Sequence, residues 1–131
     1  MSPNYPMTNE IPPEVLAAKI IVSGIHLDLT KALKEGAQTR AARLLRHNDH
    51  IVRIRIDIDH DKTKGDGHHF LAKGIVEISG PDLIASVTSD DAYKSLDLLM
   101  DKLDRLIRRR HRKRVDGRND TRKQESKQHD G

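Results

Sequence analysis

Residues 51–59 read IVRIRIDID, and this stretch decides the fold class. Aliphatic and charged side chains alternate along it, with Val52, Ile54, Ile56 and Ile58 on one side and Arg53, Arg55, Asp57 and Asp59 on the other. Successive side chains of a strand point to opposite faces, so this period of two predicts a strand with one face buried and one face in water. We expect the charged face to be solvated.

Short β-branched stretches on both sides of 51–59 predict three more strands, at 18–25, 68–79 and 83–88. Residues 61–67, DKTKGDG, are rich in Asp and Gly and predict a turn, as does Gly80-Pro81-Asp82. Because strands two to four are joined by short turns, they are expected to form an antiparallel meander.

Two segments show helical periodicity instead. The first, at 31–46, follows Thr30, a good N-cap residue, and the second, at 91–112, follows Ser89 or Asp90 as its cap. The first helix is long enough for a right-handed crossover between parallel strands. The predicted order is β-α-β-β-β-α, a two-layer α+β domain in which a four-stranded sheet carries both helices on one face.

The chain has 131 residues, which suggests a single domain. Residues 1–17 are rich in Pro and polar side chains and are interpreted as a flexible leader, and residues 18–114 form the α+β domain. After Val115 there is no apolar residue, so residues 115–131 are predicted to be a disordered polar tail.

Composition excludes several classes of function. There is no cysteine, which rules out thiolate metal sites and cysteine nucleophiles, and only three aromatic rings are present to stack bases. No transmembrane segment or secretory signal is visible, so we place the protein in the cytoplasm, away from membranes. His60, His68 and His69 lie near a predicted turn, where an exposed polar loop is favoured over a metal site. No catalytic residue, metal, cofactor or small-molecule substrate is expected.

Charge is distributed unevenly along the chain. The net charge is +4, but residues 1–104 hold 13 basic and 16 acidic side chains, whereas residues 105–131 hold 11 basic and 4 acidic ones. A mildly acidic body with a strongly basic end suggests a polyanion as partner. Within 115–131 the charges balance, so the excess lies on the predicted second helix.

Basic residues recur at helical spacing on both predicted helices. The first helix carries Lys34, Arg40, Arg43, Arg46 and His47, and the second carries Lys102, Arg105, Arg109, Arg112 and Lys113, with Arg108, Arg110 and Arg114 beside them. Such residues can simply solvate a helix surface. Because both helices pack on one sheet face, their basic stripes could instead border one groove that binds RNA phosphates by shape and charge.

Three segments resemble the ribosome hibernation-promoting factor and ribosome-associated inhibitor family, also called sigma-54 modulation proteins. They are IIVSGIHLDLTKAL at 20–33, LIASVTSDDAY at 83–93 and SLDLLMDKLDRLIRRRHRK at 95–113. The family's second-helix pattern is matched by Asp91-Ala92-Tyr93, Leu96-Asp97 and Lys102-Leu103-Asp104-Arg105. The resemblance runs from about Lys19 to Lys113.

This resemblance implies a fold similar to double-stranded-RNA-binding domains and a non-enzymatic function. The protein would bind the small ribosomal subunit and its ribosomal RNA, occupy the tRNA and mRNA channel, and silence translation, as a monomer when off the ribosome. The family's basic positions fall on Lys34, Arg40, Arg43, Arg46, Lys102, Arg105, Arg109 and Lys113, with Arg108, Arg110 and Arg112 as additional candidates. The alternative is a general double-stranded-RNA-binding or regulatory module that acts away from the ribosome.

Overall fold

The computed structural model describes residues 12–48, 50–61 and 69–126, and for residues 114–126 only the backbone. The predicted turn at 61–67 lies, apart from Asp61, outside these ranges. The elements in chain order are α1 (Pro13–Lys19), β1 (Ile20–Ile25), α2 (Lys31–His47), β2 (Ile51–Asp61), β3 (His69–Ile78), β4 (Leu83–Ser89) and α3 (Ala92–Ser126).

One mixed four-stranded sheet, in the order β1-β2-β3-β4, forms the centre of the fold. β1 pairs with β2 in parallel through the α2 crossover, and β2-β3 and β3-β4 are antiparallel. α2 and α3 cover one face of this sheet. The predicted α+β fold with the order β-α-β-β-β-α is therefore confirmed, with the short helix α1 added in front of β1.

A bulge at the start of β2 changes which aliphatic residues are buried. Ile51 pairs with Ile78 and Arg53 with Glu77, so two steps along β2 correspond to one step along β3. As a result Ile51 is buried and Val52 is 58% exposed. The prediction that Val52 lies on the buried face was wrong, because the extra residue of a bulge shifts the alternation by one position.

The core lies between the sheet and the two helices. Its fully buried members include Ile54, Ile56, Ile58, Leu96, Leu99 and Leu103. α3 approaches β3 closely at Gly74, where an added Cβ would come within 2.8 Å of Leu103 Cδ1. Glycine at this position lets the leucines of α3 reach the sheet, and so fixes the height of α3 above it.

Side-chain caps define where α2 and α3 begin. Thr30 Oγ1 accepts a hydrogen bond from Leu33 N at 3.1 Å, as predicted for the start of α2. At α3 the cap is Asp91, whose Oδ1 accepts from Tyr93 N at 2.7 Å and Lys94 N at 3.3 Å. Ser89 or Asp90 had been predicted as this cap. Ser89 Oγ instead contacts buried Ser95 Oγ at 2.6 Å and so joins β4 to α3.

Both ends of the predicted domain differ from the structure. Residues 13–17, assigned to the leader, belong to α1, because proline is tolerated in the first turn of a helix, where its missing N–H is not needed. α3 continues to Ser126, whereas the sequence predicts its end near Arg112 and a disordered tail over 115–131. Arg, Lys, Gln and Glu are good helix formers, so a polar stretch can extend a helix without packing. Residues 1–11 of the predicted leader and 127–131 of the predicted tail lie outside the described residues.

In the part of the chain that the structure describes, no helix is both long and apolar enough to cross a membrane.

Candidate nucleic-acid interface

A cluster of four residues joins the middle of α2 to the start of α3. Arg40 Nε donates to Asp97 Oδ1 at 2.6 Å, and Arg40 Nη1 donates to Gly36 O at 3.0 Å. The Arg40 guanidinium lies 5.6 Å from the centre of the Tyr93 ring, a cation–π arrangement. A Cβ on Gly36 would come within 2.9 Å of Tyr93 Cε1, so glycine is what allows this ring to pack on α2.

Beyond this cluster, α2 and α3 border a depression that we call the interhelical groove. It is lined by Arg40, Arg43, Leu44, His47, Asp97, Met100, Asp101, Asp104 and Arg108. Three arginines thus face three aspartates, and two of the arginines are already paired: Arg40 with Asp97, and Arg108 Nη2 with Asp104 Oδ2 at 3.0 Å. The described walls of this groove carry no net positive charge when histidine is neutral.

The two basic stripes border this groove only in part. Arg40, Arg43 and His47 of α2 line it, but of the basic residues of α3 only Arg108 is among its described lining. The flank of α3 that faces α2 carries Asp97, Asp101 and Asp104. Lys102 lies on the opposite flank, where its Nζ donates to Ser86 O of β4 at 3.4 Å. Helical spacing identified residues that share a face of α3, but it did not determine which neighbour that face meets.

The arginines of α3 come together at one end of the domain, where α2 ends, β2 begins and β3 ends. We call this depression, of about 630 Å³, the end cleft. It is lined by His47, Asn48, His50, Ile78, Arg105, Ile107, Arg108, Arg109, Arg110, His111 and Arg112. Among these described lining residues there are five arginines and three histidines and no Asp or Glu, so the field in the cleft favours an anion.

One arginine of the end cleft also has a structural role. Arg110 Nη1 donates to Ser79 O at 3.2 Å and to Pro81 O, in the turn between β3 and β4. Between these carbonyls lies Gly80, whose φ of +93° suits glycine. Arg110 therefore fastens α3 to the sheet and holds one guanidinium at the cleft.

The remaining candidates lie on exposed surface. Lys34, Arg43 and Arg46 are exposed on α2, and Arg105, Arg109 and Lys113 are exposed on α3. Arg40 differs, because its side chain is only 24% exposed and is held by Asp97.

His50 and His111 were not among the predicted site residues, since they lie 61 residues apart and only the fold brings them to one cleft. A lone His carries no spacing signal that could have found them.

The histidines near the predicted turn, for which an exposed polar loop is favoured over a metal site, lie at the other end of the sheet. The His60 ring stacks on Phe70 with 4.4 Å between ring centroids, and His69 is in β3. His68 lies outside the described residues. Within the described ranges no group of three or more His, Asp or Glu side chains is arranged to hold a metal ion.

Comparison with known proteins decides the family. The family described as "Sigma 54 modulation protein / S30EA ribosomal protein" matches residues 20–115. The chain belongs to this family. The match covers β1 through the basic part of α3, and so includes both the interhelical groove and the end cleft. The resemblance found in the three sequence segments is thereby confirmed.

Two curated members of the family are named ribosome hibernation promoting factor. The protein from Acinetobacter guillouiae is 31% identical over 104 residues, which covers 75% of this chain and 91% of the relative. That from Azotobacter vinelandii is 30% identical over 98 residues, which covers 75% of this chain and 87% of the relative.

Solved structures agree on the fold. A ribosomal subunit interface protein from Coxiella burnetii is 28% identical and superposes with a TM-score of 0.62, over 71% of this chain and 97% of that one. The N-terminal domain of Protein Y from Thermus thermophilus, 22% identical, gives a TM-score of 0.60 over 70% of this chain and 97% of that domain.

Proposed function

We propose that this protein is a ribosome-associated hibernation factor that binds ribosomal RNA of the small subunit and inhibits translation by occupying the tRNA and mRNA channel. The observation that carries the proposal is the family match over residues 20–115, with relatives named ribosome hibernation promoting factor. The mechanism is occlusion. A folded basic domain sits where RNA ligands must pass, so no bond is made or broken and no catalytic group is required.

The residues proposed to contact RNA are basic side chains of α2 and α3, all of them exposed except Arg110, which is partly buried. They are Lys34, Arg43 and Arg46 of α2 and Lys102, Arg105, Arg109 and Lys113 of α3, with Arg108, Arg110 and Arg112 in the end cleft. Arginine is suited to this role because its planar fork binds phosphate oxygens in pairs. We assign Arg40 a positioning role, since its guanidinium is held by Asp97 and Gly36.

Charge reversal in the end cleft tests this function. The variant Arg105→Glu with Arg109→Glu is expected to lose co-sedimentation with small subunits, because it replaces two attractive charges by two repulsive ones beside RNA phosphates. The matched control is Lys31→Glu with Lys94→Glu, which makes the same change in net charge at the N-terminal ends of α2 and α3, where both side chains are exposed and acidic residues favour a helix N-terminus. The control should co-sediment normally.

Two outcomes would refute the proposal. One is full binding by the folded Arg105→Glu, Arg109→Glu variant, which would exclude the assigned surface. The other is displacement from ribosomes by an equal concentration of unrelated duplex RNA, which would favour a general double-stranded-RNA-binding module. Under our proposal, duplex RNA competes poorly because it lacks the shape of the channel.

A further inference from the structure

The end cleft contains three side chains that no comparison assigns to a function. His47 is the last residue of α2, His50 immediately precedes β2, and His111 is on α3. Together with the five arginines, these imidazoles line a single depression. We propose that the end cleft is the phosphate-binding centre of the RNA surface, and that His47, His50 and His111 bind phosphate there in their protonated form. This inference rests on the proposed function.

The chemistry of the lining supports a phosphate ligand. Arginine supplies a permanent charge, whereas imidazole gains its charge between about pH 5 and pH 8, and in that form both ring nitrogens donate hydrogen bonds. A phosphodiester accepts hydrogen bonds from both groups. Ile78 and Ile107 line the cleft beside these cations.

Charged groups of both signs lie around the imidazoles. On the groove side, His47 lines the interhelical groove together with Arg40, Arg43, Asp97, Asp101 and Asp104, and Lys19 of α1 donates to Ile51 O beside His50. Inside the cleft the neighbours are Arg105, Arg108, Arg109, Arg110 and Arg112. A phosphate bound at these imidazoles favours their protonated form, so RNA binding is accompanied by proton uptake.

The sign of the pH dependence follows from this uptake. Because the bound protein holds more protons than the free protein, affinity rises as the pH falls. The end cleft would thus make the hibernation factor bind more tightly when its surroundings become acidic, with the arginines providing a basal affinity at higher pH.

Binding to small subunits at fixed ionic strength, from about pH 8 to about pH 6, tests the inference. Wild-type protein is expected to gain at least about tenfold in affinity over this range. The triple variant His47→Gln, His50→Gln, His111→Gln should bind with the wild-type affinity of about pH 8 and show little change with pH. The matching triple variant to Lys has a fixed charge, so it should bind tightly at every pH.

A second set of histidines provides the control. His26, His60 and His69 lie at the other end of the sheet, and the two ends of β2 are separated by about 33 Å. The variant His26→Gln, His60→Gln, His69→Gln should retain the pH dependence of the wild type. Circular dichroism verifies that each variant is folded.

The results separate this inference from the proposed function. Salt-sensitive binding that does not change with pH, or a pH dependence that survives in the His47→Gln, His50→Gln, His111→Gln variant, overturns the inference and leaves the function intact. No binding to small subunits at any pH overturns the function itself.

Discussion

The interhelical groove and the end cleft are both bordered by α2 and α3, yet they differ in charge. In the groove, Arg40, Arg43 and Arg108 meet Asp97, Asp101 and Asp104. In the end cleft, five arginines line the wall and the described lining includes no carboxylate, although one of the five, Arg108, also borders the groove and pairs with Asp104. The Arg40–Asp97 pair of the groove links the two helices, whereas the described lining of the cleft carries a net positive charge. A count of basic residues on each helix does not distinguish these two situations.

The largest expected effects come from two variants that each remove one positive charge, Arg109→Ala in the end cleft and Arg40→Ala in the interhelical groove. They should differ in both affinity for small subunits and stability. Arg109 is exposed at the cleft, so we expect roughly tenfold weaker binding to small subunits at low salt and unchanged stability. Arg40 holds Asp97, Gly36 O and the Tyr93 ring, so its loss should lower the free energy of unfolding by about 1–2 kcal/mol. RNA affinity should change less than about twofold.

Urea unfolding and co-sedimentation of both variants supply the two measurements. The comparison fails if Arg40→Ala weakens RNA binding as much as Arg109→Ala does while its stability stays at the wild-type value. Arg40→Lys serves as a control for Arg40, because it keeps the charge but loses the fork that reaches both Asp97 and Gly36.

A smaller effect is expected from removing negative charge in the groove. Asp101→Asn with Asp104→Asn removes two of the three described carboxylates of the groove and leaves Asp97, which is paired with Arg40, so the groove should become attractive to phosphate. We expect affinity for small subunits to rise by about threefold at low salt, with the gain disappearing at high salt. Asp82→Asn with Asp90→Asn, at exposed positions outside both depressions, controls for the change in net charge. If both variants gained the same affinity, the aspartates of the groove would not be what keeps phosphate away from its arginines.

The sheet and the two helices packed on it could be predicted because their hydrophobic residues recur with a clear period. The apolar side chains alternate along residues 51–59 and recur at helical spacing around Leu96, Leu99 and Leu103, and these are the side chains that the fold buries. The bulge at Val52 and the helix α1 were missed, because each depends on packing that one segment does not reveal. The continuation of α3 to Ser126 was missed because low hydrophobicity was taken as evidence of disorder.

The site was predicted less completely, for a geometric reason. The buried leucines of α3 fix the rotation of the helix, and so place Asp97 and Asp104 on one flank and Lys102 on the other. Which flank meets α2 is decided only by the assembled fold, through Tyr93 packing on Gly36. The convergence of His47, His50 and His111 has the same origin, since three different segments supply them.

The dependence of small-subunit affinity on salt concentration tests the central claim most directly. Each phosphate contact contributes about 0.7–0.9 to the slope of log K against log[salt], so Arg105→Ala with Arg109→Ala should reduce the slope by about 1.5. Lys31→Ala with Lys94→Ala should leave the slope as in the wild type. A wild-type slope retained in the Arg105→Ala, Arg109→Ala protein would contradict the claim that the end cleft binds RNA phosphates.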